Sequence, residues 1–412
     1  MPDTVELAIT GLGAHGDGLA MHEGEPVFVP GALPGERVRV ALDGARGRLS
    51  EVLTPASGRA VPVCRHFGVC GGCVAQHMPA AVYQDWKRRM VTSAFAQRGI
   101  SAEIGPLATI AGASRRRAVL TARRNGRDVE LGYHRQASDT LVPIGECPVL
   151  TPRIVKALPM LADLCALVLK ECHEVRCTVL DAEPALDVCL TTEDGRISEA
   201  NRARLVQRAA ETGIARLTLD GTIVLARARP TLQLGRAVVA PPPAAFVQAV
   251  GEAENLMAEQ VISALGKAKR LADLFCGVGT FTLRLARTAR VLAVDSDAAA
   301  IAALADAARH NQGLKPIETR VRDLIREPLS PKELEAFEAV LFDPPRAGAK
   351  AQAESLARSK VRIVIAVSCH PPTLARDAEA LIGGGFALAK VTPIDQFLYS
   401  AHVEAVAVFA RR

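Results

Sequence analysis

The sequence predicts an α/β protein in three parts, on three observations. From about residue 244 onward, apolar β-branched segments alternate with Ala-rich helical stretches. That alternation is the pattern of an open, mostly parallel sheet of Rossmann-like type with helices on its faces. From residue 4 to about 57, short strands are broken by glycines at the spacing of a small closed OB-like barrel. Between them, the chain mixes strands and helices with no internal repeat, and Ala240-Pro241-Pro242-Pro243 makes a stiff boundary. The expected domains are 1–57 (β-barrel), 58–240 (α+β) and 241–412 (α/β).

In the first part, Val5-Glu6-Leu7-Ala8-Ile9 alternates in hydropathy, and Gly11 to Gly18 is turn-rich. Pro26-Val27-Phe28-Val29 and Arg37-Val38-Arg39-Val40 are further strands. Such a barrel often binds nucleic acid; a purely structural β cap is an equal reading. Residues 60–80 are irregular and hold three cysteines, and residues 81–98 read as a helix carrying Tyr83, Trp86, Met90 and Phe95. In the last part, strands are expected at 271–275, 291–295, 340–343 and 361–367.

The 412 residues suffice for two to four domains, and 49% hydrophobic content gives a sizeable core, packed mainly by Ala, Val and Leu. No apolar run approaches the ~20 residues of a membrane span. The start, Met1-Pro2-Asp3-Thr4, lacks the basic-then-apolar layout of a signal peptide. A soluble, cytoplasmic protein is expected, and with no oligomerisation signal a monomer is the default. The net charge of +6 is compatible with a polyanionic partner without requiring one. The ten cysteines are too unevenly placed for a secreted disulfide framework, so they read as metal ligands, nucleophiles or core.

Asp273-Leu274-Phe275-Cys276-Gly277-Val278-Gly279-Thr280 is an apolar strand end running into a Gly-rich turn, with a helix expected at 281–287. Gly277 and Gly279 remove Cβ atoms that would block a ligand. The turn lacks the third glycine of the dinucleotide fingerprint. Asp295 ends the next strand, where a carboxylate can accept from both ribose hydroxyls, and Asp323 falls near where an adenine would lie. That layout suits S-adenosylmethionine, which has no pyrophosphate, better than NAD; the alternative is a glycine turn in an ordinary α/β domain. Cys276 reads as packing.

Ala339-Val340-Leu341-Phe342-Asp343-Pro344-Pro345-Arg346 places a carboxylate at the C-terminal end of a strand, where open α/β sheets bind ligands. The next strand ends in Ser368-Cys369-His370-Pro371-Pro372, so Cys369 is expected at the same edge. This grouping suits methylation of a pyrimidine at C5. A thiolate adding to C6 turns the ring into an enolate, whose C5 can attack a sulfonium methyl. A base then removes the C5 proton, and elimination frees the cysteine. Cys369 fits the nucleophile, Glu404 the base, and Asp343 is placed to hydrogen-bond the uracil edge; His402 is a rival base. A lone cysteine in an apolar strand is ordinarily inert core. Its place after the Asp-Pro-Pro-Arg loop and the cofactor turn reverses that reading.

Cys64, Cys70 and Cys73 lie in a glycine-rich loop, and Cys147 follows far downstream before Pro148. Four thiolates without histidines suit zinc or an iron–sulfur cluster, and the missing second C-x2-C knuckle favours [4Fe–4S]. Cys165, Cys172, Cys177 and Cys189 form a competing set, read as core or surface thiols. No C-x3-C-x2-C loop is present, so radical chemistry is not expected. Arg115, Arg116, Arg117, Arg123, Arg124 and Arg127 are expected on facing strands of a hairpin, as a phosphate-binding surface or as a solvated edge.

Taken together, these residues resemble the bacterial RNA 5-methyluridine methyltransferases, specifically the iron–sulfur branch acting on 23S ribosomal RNA. The resemblance covers nearly the whole chain. It implies an N-terminal TRAM barrel, a [4Fe–4S] cluster on Cys64, Cys70, Cys73 and Cys147, and an F-x-Q motif at Phe246-Val247-Gln248. It implies S-adenosylmethionine held by Gln248, Phe275, Gly277, Gly279, Thr280, Asp295, Asp323 and Asp343, with Cys369 as nucleophile and Glu404 as base. The chain departs from the family at Val250, where Asn is usual, at His370, also usually Asn, and in Asp395-Gln396-Phe397-Leu398-Tyr399-Ser400 against D-x-F-P-x-T. The competing readings are the same chemistry on the T-loop of tRNA, an inactive RNA-binding or assembly factor, and a cluster-based redox protein.

Overall fold

A computed structural model describes residues 4–193, 195 and 197–411. Residues 1–3, the start read above against a signal peptide, lie outside the described residues. Thr4–Ala8, Gly11–Leu12, Gly18–His22, Glu25–Val29, Arg37–Asp43 and Arg46–Thr54 form a six-stranded, mainly antiparallel sheet. Leu7, Ala20, Val29 and Val38, from the first, third, fourth and fifth of these strands, meet in one apolar core. The side chain of Glu36 is buried, and Arg59 offsets its charge at 2.8 Å, which ties this sheet to the segment that follows.

A central seven-stranded sheet is built round the hairpin Arg117–Asn125/Asp128–His134, with Pro152–Val168 and Glu199–Ala210 packed on it. Thr151 precedes Pro152 at the start of the first of these helices, where a missing N–H leaves no bond unmade. Cys165 and Cys177 are buried in this core, as expected for thiols used in packing.

The C-terminal sheet comprises β1 (Arg270–Leu274), β2 (Arg290–Asp295), β3 (Ile317–Val321), β4 (Ala339–Phe342), β5 (Ile363–Ser368), β6 (Ala387–Ile394) and β7 (Glu404–Ala410). Their order is β3-β2-β1-β4-β5-β7-β6. The first five are parallel, and β7 runs antiparallel to both β5 and β6. The four strands expected from sequence are present within one or two residues. β4 is buried at every position, as a parallel strand covered on both faces must be. The order reverses between β1 and β4, which opens a crevice at their carboxyl ends.

Ala80–Ala96 leaves the cysteine-bearing segment and packs on this C-terminal sheet, where Val91 and Phe95 join the core of β4 and β5. Among the described residues, no helix is long and apolar enough to cross a membrane.

Candidate active site

β4 and β5 end at one edge of the sheet, so Asp343 and Cys369 emerge side by side. β7 runs the other way, and its start meets the same edge. Ser368 pairs with Ala405, which sets Glu404 across from Cys369. Sequence spacing alone gives no hint of this juxtaposition; the antiparallel register creates it. The three residues line a cavity of about 560 Å³ together with Arg346, Phe397 and His402.

The turn after β1 forms the other end of this cavity. Phe275 takes φ +61°, a conformation unusual outside glycine, and turns the chain sharply at the strand end. Gly277 N–H donates to Asp295 Oδ2 at 2.8 Å, and Asp297 N–H donates to Oδ1 at 2.9 Å, which orients the carboxylate at the end of β2. Thr282 donates to Asp273 Oδ2 beneath the turn at 2.5 Å. Gln248, Phe275, Gly277, Thr280, Asp295 and Asp323 all face the cavity. Gly279 does not. Its φ is +91°, and a Cβ there would meet Leu304 Cδ1 at 2.4 Å, so this glycine serves close packing of the turn on the helix Ala298–His310.

Electrostatics separate the candidate groups. Burial raises Glu404 to about 8, while a hydrogen bond from Gln396 pulls the other way. Burial also raises Asp343, with Glu404 adding repulsion. Burial, then Glu404 and Asp343, push the Cys369 thiol to about 11. His402 is lowered to about 4 by burial, with Arg346 and Lys87 adding to the effect. Glu404, near 8, thus lies close to neutral pH and His402, near 4, far below it, which favours the carboxylate over its rival as the candidate base.

Family membership is decided by comparison with other proteins. The TRAM domain family matches residues 3–49, and the tRNA (Uracil-5-)-methyltransferase family matches residues 235–412. An uncharacterised RNA methyltransferase of Rhizobium meliloti is 46% identical over 415 residues, 99% of this chain and 100% of that protein. The 23S rRNA (uracil(1939)-C(5))-methyltransferase RlmD of Aeromonas hydrophila is 34% identical, over 100% of this chain and 97% of its own. The chain belongs to the RNA uracil-5-methyltransferase family. Its fold is that of the Pyrococcus abyssi tRNA (uracil-54, C5)-methyltransferase crystallised with S-adenosyl-L-homocysteine. That structure superimposes with a TM-score of 0.74 at 22% identity, over 98% of this chain and 99% of that one.

This RNA uracil-5-methyltransferase has a second cavity, of about 510 Å³, lined by Cys64, Cys70, Cys73 and Cys147. The Cys70–Cys73 loop reaches it because Gly71 lies against the strand Asp128–His134: its N–H donates to His134 O at 3.0 Å, and a Cβ would come within 2.7 Å of that oxygen. Burial raises Cys73 to about 11, and the other three thiols each add to the shift, so all four are electrostatic neighbours. Among the described residues, no three His, Cys, Asp or Glu side chains are drawn in tightly enough to hold a single ion.

Phe397 and His402 line both cavities, so one segment forms a wall between them. Lys87 holds that wall: Nζ donates to Asp395 Oδ1 at 2.9 Å, to Phe397 O at 3.0 Å and to His402 O. Tyr83 donates to Asp395 Oδ2 at 2.6 Å. Sequence reasoning missed Lys87, because its partner lies 308 residues away.

The expected arginine surface is corrected. The arginines lie in and beside one strand of the hairpin, not on facing strands, and several are committed internally. Arg116 pairs with buried Glu254 at 2.6 Å, Arg123 with Glu174 at 2.6 Å, and Arg124 donates to Leu169 O at 3.0 Å.

Proposed function

We propose that this chain transfers a methyl group from S-adenosylmethionine to C5 of a uridine in 23S ribosomal RNA, through a covalent bond from Cys369 Sγ to C6 and proton removal by Glu404. The observation that carries this reading is the pairing of Ser368 with Ala405, which brings the thiol and the carboxylate together at one edge of a single cavity. When bound, S-adenosylmethionine supplies the methyl group, carried on a sulfonium, that C5 takes. Asp295 and Gln248, with Phe275, Gly277, Thr280, Asp323 and Asp343 around them, would hold it. Gly279 shapes the turn from behind.

The thiol adds to C6 as a thiolate, and C5 becomes the carbon nucleophile. Burial strengthens the hold of Asp343 on a proton, which suits it to donate to the developing enolate oxygen. Glu404 then takes the C5 proton, the C6–S bond breaks, and the thiolate is released. The cavity is concave, so the uridine must leave its stack to enter, which costs a few kcal/mol and favours an unpaired target. The 23S assignment is supported by the end-to-end relationship to RlmD.

The four cysteines fit a [4Fe–4S] cluster: four neighbouring thiols, and no cavity-lining carboxylate but Glu146, face a chamber with room for it. They would hold it as thiolates in a structural role, beside the wall that carries Phe397 and His402. We assign the domains as 1–57 (TRAM barrel), 58–240 (cluster-bearing α+β) and 241–412 (catalytic), with the barrel contacting RNA.

The test incubates purified protein and methyl-labelled S-adenosylmethionine with unmethylated 23S rRNA or tRNA, and identifies nucleosides by mass spectrometry. 5-Methyluridine in rRNA alone, absent with Cys369→Ala, is expected. Product in tRNA would overturn the substrate, and full transfer by Cys369→Ala would overturn the mechanism. No product from either RNA would favour an RNA-binding role.

A further inference from the structure

The base is not held by the cavity alone. Gln396 Nε2 donates to Glu404 Oε2 at 3.0 Å and to Gln248 Oε1 at 2.8 Å, and Gln248 Nε2 donates to Asp343 Oδ2 at 3.0 Å. Two amides thus join the two site carboxylates in one chain of hydrogen bonds. Its polarity is set from both ends. The Asp343 oxygen that carries no proton accepts from the nitrogen of Gln248, which leaves Gln248 Oε1 as an acceptor. Ionised Glu404 is also an acceptor, so the Gln396 nitrogen must face both. Gln396 is 3% exposed and does not line the cavity, so it touches neither substrate nor cofactor. Its Oε1 is buried without a partner among the described residues. The fold therefore leaves an acceptor unsatisfied in order to aim both amide hydrogens at Gln248 and Glu404.

We propose that Gln396 is a positioning residue of the reaction, whose amide holds the Glu404 carboxylate in place and keeps it available as a base. This inference rests on the reading of Glu404 given above. The groups facing Glu404 are Asp343 from the end of β4 and Cys369 from the end of β5. Arg346, from the loop after β4, and His402, two residues before Glu404, line the same cavity. The buried Lys87–Asp395 pair lies behind, at the residue before Gln396. Among the described residues, none of these donates a hydrogen bond to the Glu404 carboxylate; Gln396 does. Removing the amide takes away the group that favours the ionised carboxylate, so Glu404 retains its proton to higher pH.

The test compares wild type with Gln396→Met, which keeps length and removes the donor. Single-turnover release of tritium from C5 is followed against pH, using an unmodified 23S rRNA transcript carrying [5-³H]uridine. Formation of the covalent adduct with the same transcript carrying 5-fluorouridine is followed in parallel, because it needs Cys369 but no proton removal. The expected result is an acid limb of tritium release moved up by about one pH unit, the effect of one lost hydrogen bond to a charged group. The pH dependence of adduct formation should not move up with it, because a protonated Glu404 no longer repels the Cys369 thiolate. An unmoved limb, or a uniform loss at every pH, overturns the inference while leaving the reaction intact. Failure of wild type to form the adduct instead overturns the reading of the reaction, and the inference falls with it. Should Gln396→Met not fold, the wild type still decides: the Gln396 side-chain amide ¹⁵N signal must titrate with the tritium-release midpoint, and an unresponsive signal refutes the role.

Discussion

Replacing Glu404 by Gln should stabilise the protein while removing its proposed base. The carboxyl is fully buried, and burial raises it from 4.5 to about 8. Between those values the folded chain holds a proton that the unfolded chain has lost. Wild-type stability therefore falls as pH rises through that window, and is fully present only below about 4.5. Glutamine carries no such proton, and its amide oxygen can still accept from Gln396. At about 1.4 kcal/mol per pH unit, less the part already titrated near 8, the advantage of Glu404→Gln should grow by about 2 kcal/mol from about pH 6 to about pH 8. For a unit of this size that is a rise in Tm of roughly 4–8 °C relative to wild type. Urea unfolding and calorimetry at the two pH values measure it. A difference between variant and wild type that does not change with pH would refute the buried-carboxyl argument. The same variant should accumulate the covalent RNA adduct, since methylated base has no route to lose its C5 proton.

Four other outcomes follow from the geometry. Gly279→Ala should destabilise by about 2–4 kcal/mol, because φ is +91° and the new Cβ meets Leu304 at 2.4 Å; denaturant melting reads it. Lys87→Met should destabilise by about 3–5 kcal/mol by leaving Asp395 buried and uncompensated, and adding Asp395→Asn should restore part of the loss. Alkylation of Cys369 by iodoacetamide should rise about tenfold per pH unit up to about 11, and Glu404→Gln should move that profile down by removing the repelling carboxylate. Cys73→Ser should abolish bound iron and acid-labile sulfide in preparations protected from air, whereas zinc without sulfide in wild type would refute the cluster assignment.

What the sequence made legible was contiguous. The Gly-rich turn, the Asp-Pro-Pro-Arg loop and the cysteine at a strand end each announce their geometry within a few residues, because backbone conformation at a strand end is a local matter. The four cysteines were legible as donors, since residue type carries that information, though not the cavity wall they share with the catalytic segment. Contacts across the chain were not legible. Arg116 and Arg123 looked like a surface for phosphate until Glu254 and Glu174 came within 2.6 Å. Gln396 appeared only as an unrestricted position inside a segment that departs from a family pattern; its meaning depends on Gln248, 148 residues away in the chain. Gly279 was read as making room for a ligand, and it makes room for Leu304.

The reversal of β7 has a consequence for how such an enzyme can be remodelled. The proposed nucleophile and base are set by the ladder between β5 and β7, not by the loops that surround them. A slip of one residue would turn Glu404 to the other face of the sheet, so any folded molecule with an intact core carries the pair in register. Loop tips away from that ladder can lengthen, shorten or be exchanged without moving either reacting atom. Target choice can then be engineered by grafting RNA-facing segments onto an unchanged chemical centre.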